Sequence, residues 1–194
     1  MEKYEVVLIT GAAGFIGSSL VKKFLSLGYK VFGVDNINNY YDTNLKKDRL
    51  IEIDRCSIEN HSVWKFFKAS IEDKNRMEEI FKHCKPQLVV NLAAQAGVRY
   101  SIENPFEYTK SNLIGFSVIL ELCKVYNVEH LVYASSSSVY GANNNFPFSE
   151  DQKTGTPLSF YAATKISNEM MANSYSHINS MPITGLRYFT VYGP

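Results

Sequence analysis

Thr10-Gly11-Ala12-Ala13-Gly14-Phe15-Ile16-Gly17 joins an apolar run, Glu5–Thr10, to a stretch with apolar residues at helical spacing, Phe15–Leu27. The run suits a strand buried on both faces. Gly11 can turn the chain sharply, Gly14 allows close backbone approach to a pyrophosphate, and Gly17 lets the helix pack closely on the sheet. The helix N-terminus then offers free N–H groups, with Phe15 and Ile16 at its start, to phosphate. The spacing is G-x-x-G-x-x-G. Asp35 ends the next strand 21 residues after Gly14. A carboxylate there can accept hydrogen bonds from both ribose hydroxyls of NAD and would repel the 2′-phosphate of NADP.

Outward from this loop, strand-like and helix-like stretches alternate. Lys30–Val34, Trp64–Ala69, Gln87–Leu92, His130–Ala134 and Ile183–Phe189 read as strands. Leu45–Ile53 reads as a charged surface helix, Lys74–Cys84 as a helix ended before Pro86, Phe106–Tyr126 as one long apolar helix, and Phe160–Ser176 as a helix. Asn36–Tyr41 and Ala142–Pro157 read as loops. The alternation predicts an α/β fold with a doubly wound parallel sheet of Rossmann type.

The 194 residues make one sizeable core and form a single NAD-binding domain over residues 1–194. A net charge of +1 gives no electrostatic case for nucleic acid or an anionic membrane surface. No apolar run reaches about 20 residues, and the start has no signal-peptide pattern. Cys56, Cys84 and Cys123 form no metal or disulfide pattern and suit a reducing cytoplasm.

Of thirteen tyrosines, only Tyr161 has a lysine four residues on, Lys165. One helical turn puts both on one face. A cation beside a phenol favours the phenolate, so Lys165 is expected to lower the Tyr161 pKa. With the glycine loop, this predicts proton abstraction coupled to hydride transfer.

Thr10–Gly17, Asp35, Asn91–Ala94, Asn112, Ser135–Gly141, Tyr161-x-x-x-Lys165 and Arg187–Pro194 follow one another as in the extended short-chain dehydrogenase/reductases that act on nucleotide sugars. The segments VDNINNYYDTNLKKDRL, NLAAQAGVRYSIENP, YASSSSVYG and LRYFTVYGP resemble the UDP-glucuronate 4-epimerases. The resemblance implies that Tyr161 takes the proton from the sugar 4-hydroxyl, that Lys165 also holds the nicotinamide ribose, and that Ser136 bonds the reacting oxygen. It places Asn36, Ser70 and Ile71 at the adenosine end. Leu92, Ala93, Ala94 and Asn112 line the cofactor. Ser70 stands where most relatives have aspartate.

Ser137, Ser138 and Thr190 are implied donors to a sugar C6 carboxylate. Dehydratase relatives carry an Asp-Glu pair where Ser137 and Ser138 stand, and decarboxylase relatives usually have asparagine in place of Thr190. Arg99 suits a substrate contact and a structural ion pair equally. The expected activity is NAD-dependent conversion of UDP-glucuronate to UDP-galacturonate, for polysaccharide precursors. The alternatives are a neutral-sugar or N-acetylhexosamine 4-epimerase, a UDP-glucuronate decarboxylase, and a silent nucleotide-binding scaffold. Such relatives continue well beyond Tyr-Gly-Pro into a substrate lobe. The chain is therefore expected to be a fragment that binds NAD with little turnover alone. The resemblance also implies a homodimer through the 106–126 and 160–176 helices.

Overall fold

A computed structural model describes residues 4–193; Met1–Lys3 and Pro194, the last residue of both Arg187–Pro194 and LRYFTVYGP, lie outside them. Six strands, β1 (Val6–Thr10), β2 (Lys30–Asp35), β3 (Trp64–Lys68), β4 (Leu88–Asn91), β5 (His130–Ser136) and β6 (Ile183–Tyr188), form one parallel sheet in the order β3-β2-β1-β4-β5-β6. The expected doubly wound fold is present.

The central strands β1 and β4 are buried on both faces, and alternation along β1 shows why. Val7 and Ile9 pack with Val21, Leu25 and Ile53 on one side. Leu8 points the other way, toward Phe81, Phe116 and Leu120. Helices α1 (Phe15–Ser26) and α2 (Thr43–Glu59) cover the first face. Helices α3 (Lys74–Cys84), α6 (Phe116–Val125) and α7 (Phe160–Asn179) cover the second.

The helix ends follow local chemistry. Asp42, Asp73 and Ser159 each accept a hydrogen bond from a first-turn N–H of α2, α3 and α7. α1 has Gly14 at its N-cap, no side-chain cap and no acidic residue in its first turn. Its free N–H groups therefore face the sheet's C-terminal edge, where the order reverses between β1 and β4.

Two stretches depart from the periodic reading. α2 extends beyond Leu45–Ile53 at both ends, and Lys46 on its inner side is buried. The apolar stretch read as one helix is interrupted: α4 (Tyr100–Glu103) and α5 (Pro105–Tyr108) precede a π-helical segment, Thr109–Gly115, which leads into α6. Hydrophobic spacing does not report the hydrogen-bond register, so it cannot separate π from α turns. A 3-10 turn, Ser137–Tyr140, also lies where no element was expected.

Candidate functional site

The glycine loop is a backbone cradle. Gly11 has φ +70°, and a Cβ on it would stand 2.9 Å from the Ala93 nitrogen. A Cβ on Gly14 would meet the Gly11 carbonyl oxygen at 3.0 Å, and one on Gly17 would overlap that same oxygen. Gly17 thus lets α1 seat against the loop itself, rather than against the sheet. Thr10 braces the neighbouring strand end: its hydroxyl donates to Asn91 Oδ1 (2.6 Å) and accepts from the Ala93 N–H (3.1 Å).

Two cavities that share part of their lining open from this cradle. One, of about 690 Å³, is lined by Gly11, Phe15, Ile16, Ser136, Tyr161 and Lys165, among others. The other, of about 170 Å³, is lined by Asp35, Asn36, Lys46, Ser70, Ile71 and Gln95, among others. Gly11, Gly14, Leu92 and Ala94 border both, and Ala93 borders the smaller. The spacings that singled out the glycines, Asp35, Ser136, Tyr161 and Lys165 therefore lead to two adjoining cavities, with Asp35 in the smaller and the other three side chains in the larger.

Each reactive side chain is held by its own element. Ser136 ends β5, and its hydroxyl accepts from the Ser138 N–H (3.1 Å), which leaves its proton free to donate. Lys165 is buried in α7, and its ammonium donates to the Ala134 carbonyl (2.8 Å). Burial lowers its pKa to about 8. Its Nζ lies 5.9 Å from the Tyr161 ring centroid.

The expected depression of the Tyr161 pKa is corrected here. Burial raises the phenol above its ordinary value, and a hydrogen bond with Ser136 opposes this without cancelling it. A half-buried hydroxyl loses more solvation on ionising than one serine restores.

Asn112 also departs from expectation. It is 2 % exposed, and it does not line either cavity. Its Oδ1 accepts from the Gln95 N–H (2.8 Å), and its Nδ2 donates to the Gln95 carbonyl (3.0 Å) and the Thr164 hydroxyl (3.1 Å). Its own carbonyl accepts from Asn168 Nδ2 (2.6 Å). Both amide protons are used, so Asn112 ties the π-helical segment to the loop after β4 and to α7.

The remaining expectations are placed as follows. Asn36 Nδ2 donates to the Ser70 hydroxyl (3.2 Å) at the mouth of the smaller cavity. Ser137 and Ser138 sit on the 3-10 turn, and Thr190 is exposed beyond β6; none of the three lines the larger cavity. Arg99 is exposed at the start of α4, lines neither cavity, and forms no ion pair among the described residues.

Several residues were missed by sequence reasoning. Tyr40, Tyr41, Lys46 and Gln95 line the smaller cavity, and Arg49 lines the larger. Lys46 and Arg49 lie three apart on the α2 face that carries buried Ile53, a spacing that could have flagged them. Asp35 is not a lone carboxylate: Lys46 Nζ lies 3.4 Å from it. At the edge of the cleft, Glu169 accepts from Ser135 (2.6 Å), which lines the larger cavity, and pairs in bidentate fashion with Arg187 (3.0 Å for each bond), locking α7 to β5 and β6.

The family model described as GDP-mannose 4,6 dehydratase matches residues 8–194. The chain belongs to this family. The expected kinship with extended short-chain dehydrogenase/reductases is thereby borne out. Among curated relatives of this family member, Protein CapI from Staphylococcus aureus is 55% identical over 97% of the chain and 54% of its own length. UDP-glucuronate 4-epimerase 4 from Arabidopsis thaliana is 47% identical over 97% of the chain and 42% of its own length. The crystal structure of UDP-glucuronic acid 4-epimerase from Bacillus cereus, in complex with UDP-glucuronic acid and NAD, superposes with a TM-score of 0.84. It is 35% identical over 97% of the chain and 57% of its own chain. The chain thus spans about half the length of the relatives it matches.

Proposed function

We propose that the protein is an NAD-dependent 4-epimerase that interconverts UDP-glucuronate and UDP-galacturonate through a 4-keto sugar. The observation that carries this reading is one cleft lined by the glycine loop together with Ser136, Tyr161 and Lys165.

The residues present fit the cofactor on three counts. The cradle at Gly11 and Gly14 has no room for a Cβ. The α1 N-terminus is uncapped. In the wall of the smaller cavity, the buried Gln95 Nε2 is the one buried side-chain nitrogen or oxygen without a hydrogen-bond partner among the described residues. A buried amide donor is costly to leave unmade. Gly11, Gly14 and the first N–H groups of α1, at Phe15 and Ile16, would hold the pyrophosphate. Asp35, Asn36, Ser70 and Ile71 would hold the adenosine. Leu92, Ala93 and Ala94 would line the path between them. Asn112 would act by positioning α7.

When bound, NAD would supply reversible hydride acceptance at the sugar C4. Tyr161 takes the 4-hydroxyl proton and gives it back when the carbonyl is reduced. A positive charge entering the cleft lowers the phenol pKa from its raised value. The Ser136 proton bonds the reacting oxygen. Lys165 keeps two protons beyond the one on Ala134, enough for the nicotinamide-side ribose.

Ser137, Ser138 and Thr190 would donate to the C6 carboxylate, with Arg99 at the substrate side. Hydroxyls at 137 and 138 offer no acid and base pair for water elimination, which argues against a dehydratase reaction despite the family's description.

The turnover is proposed for a protein of the relatives' length. For the 194 residues alone, we propose one NAD-binding domain with little turnover. Three free cysteines suit a cytoplasmic setting, and among the described residues no helix is long and apolar enough to cross a membrane. Exposed Phe106, Ile114, Met170 and Ile178 on the 106–126 and 160–179 stretches support a homodimer through these helices. Product analysis with UDP-glucuronate and NAD tests the activity: UDP-galacturonate is expected, whereas a pentose or a 4-keto-6-deoxy product would overturn it.

A further inference from the structure

We infer that Lys46 sets the cofactor preference of this site by neutralising Asp35, so that the adenosine end favours NAD only narrowly over its 2′-phosphorylated form. The inference rests on the cofactor reading above.

Asp35 and Lys46 are buried together, with side chains 7% and 6% exposed. Asp35 Oδ1 accepts from the Ile37 N–H (2.8 Å) and faces Lys46 Nζ at 3.4 Å; Oδ2 accepts from the Ala13 N–H (3.3 Å). Lys46 Nζ also donates to Asn38 Oδ1 (2.9 Å) and lies 5.0 Å from the centroid of the Tyr41 ring. An ammonium carries three protons. Asp35 and Asn38 account for two. Both members of the pair line the smaller cavity, so the third is the donor left for a group bound there.

A lone carboxylate at this place accepts from a ribose diol and repels a phosphate, which carries about −1.5 to −2 charges near neutrality. An opposite charge within a few ångströms removes most of that repulsion. The other charged groups nearby are of both signs. Arg49, one turn on in α2, adds positive charge, with its guanidinium on the Tyr41 hydroxyl (3.0 Å) and the Ala13 carbonyl (3.5 Å). Glu72 lines the same cavity and is the one further acidic side chain in its wall. The subsite therefore offers an acceptor, Asp35, and a donor, Lys46, side by side. Ribose hydroxyls can use both, and a 2′-phosphate can use Lys46.

The test is calorimetric titration of the purified protein with NAD+ and with NADP+, beside the Lys46→Met and Lys46→Arg variants, with thermal unfolding as the folding control. The native protein is expected to bind NADP+ within about a hundredfold of NAD+. Lys46→Met should widen that ratio by about tenfold or more, mainly through weaker NADP+ binding. Lys46→Arg, which keeps the charge, should hold the ratio within about threefold. The inference is overturned if native NADP+ binding is undetectable at several hundred times the NAD+ Kd. It is also overturned if Lys46→Met weakens both cofactors equally. If Lys46→Met does not fold, the native ratio and Lys46→Arg decide. Absence of NAD+ binding to the native protein would instead sink the cofactor reading.

Discussion

Lys165 donates its hydrogen bond to the Ala134 carbonyl at 2.8 Å, while its Nζ stands 5.9 Å from the Tyr161 ring centroid. The lysine is thus fixed to the C-terminal end of β5, and the tyrosine one turn earlier shares its cleft without being its hydrogen-bond partner. A buried ammonium held by one carbonyl is a stability cost as well as a functional device.

That cost gives a pH dependence. The Lys165 pKa falls from 10.5 to about 8 on folding. Between those values the unfolded chain holds a proton that the folded chain has shed, so this group makes stability rise with pH. Below about 8 the penalty is present in full, on the order of 3 kcal/mol. Cys84 and Cys123, raised by burial, act in the opposite sense from the ordinary thiol value near 9 upward, and Tyr108 and Tyr161, also raised by burial, join them above the ordinary tyrosine value near 10. Urea titrations at pH 7.5, 8.5 and 9.5 should show the stability of the native chain rising relative to that of Lys165→Met as the pH rises. Identical profiles would refute the assignment.

Asn112 is expected to matter for stability before it matters for binding. Asn112→Ala removes three buried hydrogen bonds and strands the Gln95 backbone and Thr164. A loss of about 3 kcal/mol is expected, with NAD+ affinity of the folded variant within about threefold. Unchanged stability with collapsed affinity would make Asn112 a direct cofactor ligand.

Gly17 in α1 and Gly28 just beyond it should differ in what a Cβ costs. A Cβ on Gly17 collides with a backbone oxygen that cannot move aside, so Gly17→Ala should displace α1 and destabilise by about 3 kcal/mol or more. Gly28 has φ +80° with open space around it, so Gly28→Ala should lose only about 1 kcal/mol. Equal losses in denaturant titrations would show that the cradle is looser than drawn.

The apolar outer faces predict self-association. Phe106 is 79% exposed and Met170 56%. Sedimentation should detect a dimer at micromolar concentration, and Met170→Lys should shift it toward monomer. A monomer at every concentration would remove the helix-pairing proposal.

The doubly wound parallel sheet was legible because strand-like runs alternate with helical repeats, and β1 is apolar on both faces. Asp35, Ser136, Tyr161 and Lys165 were legible because their spacing survives folding: a strand end or one helical turn fixes where they point. Lys46 and Gln95 were not. Lys46 lies on a helix read as charged surface and Gln95 on a stretch given no element, and the tertiary arrangement turns both toward the cavity. The π-helical register around Asn112 was hidden for a related reason: close approach of Gly115 to Ile71, where a Cβ would stand 2.6 Å from Cγ1, is a contact between distant segments. The direction of the Tyr161 pKa depends on burial, which no spacing reports.

The most direct test of the central claim uses the complete gene product with NAD and UDP-glucuronate deuterated at C4, followed by NMR of the products. The account predicts UDP-galacturonate that retains deuterium at C4, because the hydride leaves and returns within one turnover. Tyr161→Phe should lower turnover by at least about a thousandfold while leaving the NAD+ Kd within about threefold. Deuterium lost to solvent, or a Tyr161→Phe variant that turns over normally, would contradict it.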